Sequence, residues 1–105
     1  TTAIICNKSI SIGSEVQLSW NSLITDSDAH TIYSIDGVIS NHPKEISIGN
    51  KVWIAANTTI LKGTKICDNT VVASNSLLNK EFQEGNCIIA GSPAKVVKRI
   101  GGFKI

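Results

Sequence analysis

The sequence predicts an all-β fold of short parallel strands wound into stacked coils, and two observations carry that reading. Every sixth residue from Ile12 is a large aliphatic: Ile12, Leu18 and Ile24, then, after a gap, Ile48, Ile54, Ile60, Ile66, Val72 and Leu78. Composition agrees, because 32 of the 105 residues are the β-branched Ile, Val and Thr while only five are aromatic. That is strand chemistry without the large rings that usually fill a sandwich core.

Each hexad reads as a flat strand and a corner. The aliphatic points inward from the flat. The fourth position after it carries Val16, Ser22, Asp28, Val52, Thr58, Thr64, Thr70, Ser76 and Phe82, mostly small or β-branched residues that suit a bend. Between them lie turn formers such as Asn50-Lys51, Lys62-Gly63 and Asp68-Asn69. Three hexads make an 18-residue coil of triangular section, and stacked coils bury one shared aliphatic column. A helix is excluded, since a period of six matches neither 3.6 nor 3.5 and Asn and Gly recur at the turns. Thr58, Thr64 and Thr70 fall on inward corner positions, which argues against an outward Thr lattice of the ice-binding kind.

The frame fails at His30, Asp36 and His42, yet its phase survives, because Ile24 to Ile48 is four hexads. The chain therefore divides into coils over about 10–29 and 48–83, a loop over about 30–46, and a closing segment 84–105, all within one domain of residues 1–105. An excursion that leaves and returns in register is characteristic of functional loops. A net charge of +2 is too slight to argue for a nucleic-acid or membrane partner. Three cysteines, Cys6, Cys67 and Cys87, cannot all pair internally, and their spacing fits no metal knuckle, so a cytoplasmic location is expected and no metal. Methionine is absent, which leads us to expect a chain cut before its first coils. At this size a single copy buries only about 60–70% of its unfolded surface, so a partner subunit would help it.

The block from Ile48 to Leu78, opening Ile-Gly-Asn-Lys-Val-Trp-Ile-Ala-Ala-Asn, resembles the hexapeptide-repeat acyltransferases, as does the closing Ala90-Gly91-Ser92-Pro93-Ala94-Lys95-Val96-Val97-Lys98. The similarity runs over about residues 10–100 and is nearest to the galactoside, maltose and capsular-polysaccharide O-acetyltransferases. It implies a left-handed parallel β-helix, a homotrimer with active sites between subunits, acetyl-CoA as donor, and a saccharide or other hydroxyl-bearing small molecule as acceptor. It also implies that the loop walls the acceptor pocket from a neighbouring subunit.

Acyl transfer to a hydroxyl needs a base that works near pH 7, and imidazole, with an ordinary pKa of about 6.5, is the natural one. His30 ends the run Thr25-Asp26-Ser27-Asp28-Ala29-His30, which is similar to the family's catalytic segment, and precedes Trp53 by 23 residues. His30 is therefore the expected base. Asp28, at an inward corner position, needs a specific partner for its carboxylate, and it or Asp26 is expected to orient the His30 ring or contact the acceptor. Trp53 stands in an outward slot where no core can absorb it, and the resemblance places it on the donor and acceptor tunnel. Trp20, at a corner, is a lesser acceptor-wall or interface candidate, and His42 reads as ordinary surface.

For the donor, the resemblance implies contacts from Ala56, Ser74, Asn79 and Lys80, with Lys95 and Lys98 on the phosphates. Ala55, Ala56, Ala73 and Ser74 offer a smooth track for an amide-bearing pantetheine arm. Where relatives carry Arg, Lys keeps the charge but loses the bidentate fork. A zinc hydratase on this fold needs three histidines and only two exist. The alternatives that stand are a serine or antibiotic acetyltransferase and a non-catalytic trimerisation domain.

Overall fold

A computed structural model describes residues 1–105. Twelve short strands follow one another: β1 (Ala3–Ile5), β2 (Ile10–Ile12), β3 (Gln17–Leu18), β4 (Leu23–Thr25), β5 (Ile46–Ile48), β6 (Val52–Ile54), β7 (Thr59–Ile60), β8 (Lys65–Ile66), β9 (Thr70–Val72), β10 (Leu77–Leu78), β11 (Cys87–Gly91) and β12 (Ala94–Arg99). They form three faces of a prism: face 1 in the order β1-β4-β7-β10, face 2 as β2-β5-β8, and face 3 as β12-β11-β9-β6-β3. All pairings are parallel except β11 with β12, which closes the prism as an antiparallel hairpin. This is the expected left-handed parallel β-helix.

Register puts the hexad anchors in one column. Ile24 pairs with Ile60 and Ile60 with Leu78; Ile48 pairs with Ile66; Ile54 pairs with Val72. All of these are at most 3% exposed, and burying each side chain contributes about 1.5–3 kcal/mol. Thr58, Thr64, Thr70 and Ser76 line the inside of the corners as anticipated and are equally buried. Their hydroxyls donate to corner carbonyls, Thr64 Oγ1 to those of Leu61 (2.7 Å) and Leu78 (3.0 Å).

The corners need left-handed backbone, and Asn is the side chain that tolerates it best. Asn21, Asn57 and Asn75 (φ 55°, 60° and 61°) stack at the face 3–face 1 corner, and Asn69 and Asn86 (56° and 52°) at the face 2–face 3 corner. There, the Ser14 N–H donates to Asn50 Oδ1 (2.8 Å), and the Asn50 N–H to Asp68 Oδ1 (2.7 Å). One coil's side chain thus caps the backbone of the coil before it. Gly85 continues this column because a Cβ there would lie 2.3 Å from the Asp68 carbonyl oxygen.

Two boundaries differ from the sequence reading. The coils begin at Ala3, not near residue 10, because Ile4 pairs with Ile24. The repeat is masked there: Ile4 and Ile12 are eight residues apart where the matching Ile60 and Ile66 are six. The excursion also starts earlier, after Thr25, and ends at Ile46. It adds 18 residues (Ile24 to Ile48 is 24, against six for Ile60 to Ile66), one coil's worth, which is why the phase survives.

Candidate functional site

The excursion is a small hairpin standing off the face 1–face 2 edge. Tyr33 and Ile39 bridge as an antiparallel pair, the Ser34 N–H donates to the Val38 carbonyl (2.8 Å), and Gly37 (φ 84°) completes the turn. Ser34 Oγ donates to the Asp36 carboxylate, which holds that carboxyl below its usual range. The hairpin's apolar side chains face outward, with Ile35 wholly exposed and Ile32, Tyr33 and Val38 more than half exposed.

Its root is tied to the prism. Lys62, at the same edge one coil on, forms an ion pair of 2.8 Å with Asp28 Oδ2 and donates to the His42 carbonyl (3.4 Å). Asn41 Nδ2 donates to Asp28 Oδ2 (3.0 Å) and to the His30 carbonyl (2.8 Å), while Asn41 Oδ1 accepts the Ile32 N–H (2.7 Å). The Lys62 and Asn41 hydrogen bonds hold the Asp28 carboxyl below its ordinary range. Asp28 therefore does not occupy an inward corner position. It is exposed at the loop root, and its carboxylate orients backbone through Asn41 and Lys62 rather than touching the His30 ring.

Asp26 takes the interior position instead. It is 0% exposed, and its carboxylate accepts the N–H groups of Asn7 (2.7 Å), Lys8 (2.7 Å) and Ser9 (2.8 Å), with Cys6 Sγ at 3.7 Å. Burial pushes this carboxyl up, but the three backbone donors and the thiol outweigh it and leave its pKa lowered. With its oxygens filled in this way, Asp26 is not placed to contact an acceptor. It knots the wide first turn to the strand that launches the loop, and its own carbonyl accepts the Lys44 N–H (3.2 Å) where the loop returns.

His30 is exposed and opens onto a cleft of about 200 Å³ beneath the hairpin, shared with Asn7, Ser27, Asn41 and His42. His42 is thus a site neighbour, which sequence reasoning missed, as it missed Asn41 and Lys62. A polar Asn or Lys in a loop or turn carries no signal of its partner one coil away.

Trp53 lies on face 3, 40% exposed, and register arranges that face in two outward columns. Gln17, Trp53, Val71, Ile88 and Lys98 form one; Ser19, Ala55, Ala73, Ala90 and Lys95 form the other, since Leu18, Ile54, Val72 and Ile89 pair in sequence and β12 closes the edge. Ala56 and Ser74 flank the second column at the face 3–face 1 corner, where the Asn75 N–H donates to the Ala56 carbonyl (3.2 Å). Lys95 and Lys98 are exposed on β12. Asn79 and Lys80 are not on this side: they follow β10 at the face 1–face 2 edge, with Lys80 Nζ 5.3 Å from the centre of the Phe82 ring. Trp20 sits exposed at the face 3–face 1 corner, in line with Ala56 and Ser74 on the following coils, and its carbonyl accepts the Asn57 N–H (3.1 Å).

One chain therefore carries its candidate site residues in two groups on different edges. His30, Asp28, Asn79 and Lys80 share the face 1–face 2 edge, while Trp53, Ala56, Ser74, Lys95 and Lys98 lie on face 3 and its corner. No cavity contains members of both.

Residues 45–80 match the family model described as bacterial transferase hexapeptide (six repeats). The galactoside O-acetyltransferase of Escherichia coli strain K12 is 30% identical over 99 residues, covering 92% of this chain and 47% of that protein. The polysialic acid O-acetyltransferase of Neisseria meningitidis is 51% identical over 55 residues, 51% of this chain and 26% of that protein. Among solved structures, that of the polysialic acid O-acetyltransferase OatWY superposes with a TM-score of 0.92 at 45% identity over 99% of this chain and 52% of its own. A galactoside acetyltransferase in complex with coenzyme A gives 0.82 at 25% identity over 95% of this chain and 50% of its own. The chain thus spans about half the length, or less, of the relatives it matches. From repeat, coil geometry and relatives alike, the chain belongs to the hexapeptide-repeat acyltransferase family.

Proposed function

We propose that the protein transfers an acetyl group from acetyl-CoA to a hydroxyl of a saccharide, at sites formed between copies of the chain in a homotrimer. The observation that carries this is the outward column Ser19–Ala55–Ala73–Ala90–Lys95 on face 3. Successive strands lie about 4.8 Å apart, so the column offers a small-residue track roughly 19 Å long that ends at a cation. A pantetheine arm lies along such a track and hydrogen-bonds to strand edges, while Lys95 and Lys98 meet the phosphates as point charges. The acyl end then sits at the level of Ser19 and Trp53.

The base must come from elsewhere, because His30 is on another edge of the same chain. Setting the face 1–face 2 edge of one copy against face 3 of the next brings His30 and the Asn79–Lys80 corner to the donor track. The outward residues of face 1 support this arrangement: Ile5, Leu23 and Leu61 line an open cavity of about 580 Å³ beside Asp28 and Ala29, an apolar surface suited to a neighbour.

In this reading His30 accepts the acceptor hydroxyl's proton as that oxygen attacks the thioester carbonyl. The tetrahedral intermediate collapses with cleavage of the C–S bond, and the proton leaves with the coenzyme A thiol. Asp28, Asn41 and Lys62 hold the backbone that carries His30. Related proteins act on polysialic acid and on galactosides by name, which supports a saccharide acceptor here. A cytoplasmic location is part of the proposal, since an odd number of cysteines suits a reducing compartment.

The test is thiol release from acetyl-CoA in the presence of a saccharide panel. Release that depends on the saccharide, and falls at least a hundredfold in a folded His30→Ala variant, is expected. Undiminished release in that variant removes the base assignment.

A further inference from the structure

After β12 the chain does not leave the prism. The Ile100 N–H donates to the Asn86 carbonyl (2.8 Å), and the Gly101 carbonyl accepts Asn69 Nδ2 (3.4 Å). Phe103 then packs on Trp53, ring centres 6.3 Å apart and tilted by 41°, with Lys51 Nζ 5.3 Å from the Phe103 ring centre. Asn86, Asn69, Lys51 and Gln17 belong to successive coils, so the segment Ile100–Ile105 runs back along the prism axis, against the direction in which the coils were laid down. Lys104 and Ile105 reach the foot of face 3, where they enclose a cavity of about 290 Å³ with Gln17, Ser19 and Trp53.

We propose that this segment is an autoinhibitory strap over the foot of the donor track, and that acetyl-CoA binds by lifting it. The overlap is one of position and rests on the acetyl-transfer reading. In that reading the acyl end lies at the level of Ser19 and Trp53, a level that Phe103, Lys104 and Ile105 already cover. Strap and acyl group therefore compete for one surface. The way the strap is held suits release. Beyond Gly101 it makes no hydrogen bond to the prism, so the Phe103 contact is its anchor. A Cβ at Gly101 would meet nothing within 4 Å, and one at Gly102 only the Asn69 amide at 3.6 Å, so close packing demands glycine at neither. The pair instead supplies a joint, through the backbone freedom of glycine, about which Phe103 swings away. The anchor is also weak enough to yield, since one aromatic pair shifts an equilibrium constant by a factor of about 2–10. Donor affinity carries that factor, because only the fraction of protein with the strap lifted binds the acyl end.

Two measurements test the strap, each with acetyl-CoA and with adenosine 3′,5′-bisphosphate, which carries the phosphate end of the donor but no pantetheine arm. The first is calorimetric binding to the wild-type protein and to Phe103→Ala. The variant is expected to bind acetyl-CoA about 2–10-fold more tightly and the bisphosphate no differently. The second is fluorine NMR of the wild-type protein labelled with 4-fluorophenylalanine, which needs no variant to fold. Phe82 and Phe103 are the only phenylalanines, so two resonances are expected. Acetyl-CoA should move that of Phe103 toward the position of the free amino acid, and the bisphosphate should leave it in place. Acetyl-CoA affinity that is unaltered or weakened in Phe103→Ala, or a Phe103 resonance that acetyl-CoA does not move, overturns the strap and leaves the transfer reading standing. The expected pattern without acetyl transfer to any saccharide upholds the strap and overturns the transfer reading. Acetyl-CoA that binds to neither protein overturns both.

Discussion

Lys62 reaches across the coil edge to Asp28 and closes a 2.8 Å ion pair at the root of the loop that carries His30. The same ammonium group holds the His42 carbonyl, so one side chain grips both limbs of the excursion. The pair is partly exposed and stabilises the fold little; its effect is on geometry. Lys62→Met is therefore expected to leave the thermal midpoint nearly unchanged while lowering kcat for acetyl transfer by roughly 10–100-fold, the scale of a small misplacement of a catalytic group. Steady-state kinetics beside a melting curve separate the two effects.

Asp26 is the opposite case, a carboxylate that acts on stability. Asp26→Ala leaves the Asn7, Lys8 and Ser9 amides without their buried acceptor, and a loss of about 2–4 kcal/mol in urea unfolding is expected. Asp26→Asn keeps one oxygen and costs less.

The same residue sets an acid limit. Its folded pKa, like that of Asp28, lies below the ordinary carboxyl value of 3.8. Between the folded and unfolded values the unfolded chain binds more protons, so stability rises with pH there. The contribution is complete above about pH 5 and is lost as pH falls through the folded values. Urea midpoints from pH 6 down to pH 2 should fall most steeply below pH 4, and less steeply in Asp26→Asn.

Packing at the corner column is checked by Gly85→Ala. The new Cβ meets the Asp68 carbonyl oxygen at 2.3 Å, a backbone atom that cannot swing away. A destabilisation of about 1–3 kcal/mol is expected, read from urea unfolding.

On the donor face, Lys95→Ala with Lys98→Ala should raise the KM for acetyl-CoA about tenfold, leave kcat within a factor of two, and weaken the salt dependence of that KM. Steady-state kinetics at two ionic strengths provide the check.

The aliphatic column was legible from Ile48 to Leu78 because each hexad carries its own aliphatic anchor, while the hand of the winding came from the resemblance. The first coil was not, because its wide turn at Cys6–Ser9 shifts Ile4 out of the frame and is justified only by Asp26, some 20 residues away. His30 and Trp53 stood out as residues the repeat does not explain. The roles of Asp26 and Asp28 came out reversed, inside against outside, since counting hexads cannot tell where a chain leaves the coil. Asn79 and Lys80 were grouped with Ala56 and Ser74 by resemblance, and only the three-faced geometry sets them on separate edges.

That separation is the centre of the account, and subunit mixing tests it directly. His30→Ala removes the base edge, and Ala73→Trp fills the donor track. Each variant alone is expected to be inactive. Unfolded together and refolded, random assembly pairs an intact base with an intact track at about one interface in four, restoring about a quarter of wild-type thiol release. A mixture no more active than its two parents contradicts a site shared between copies.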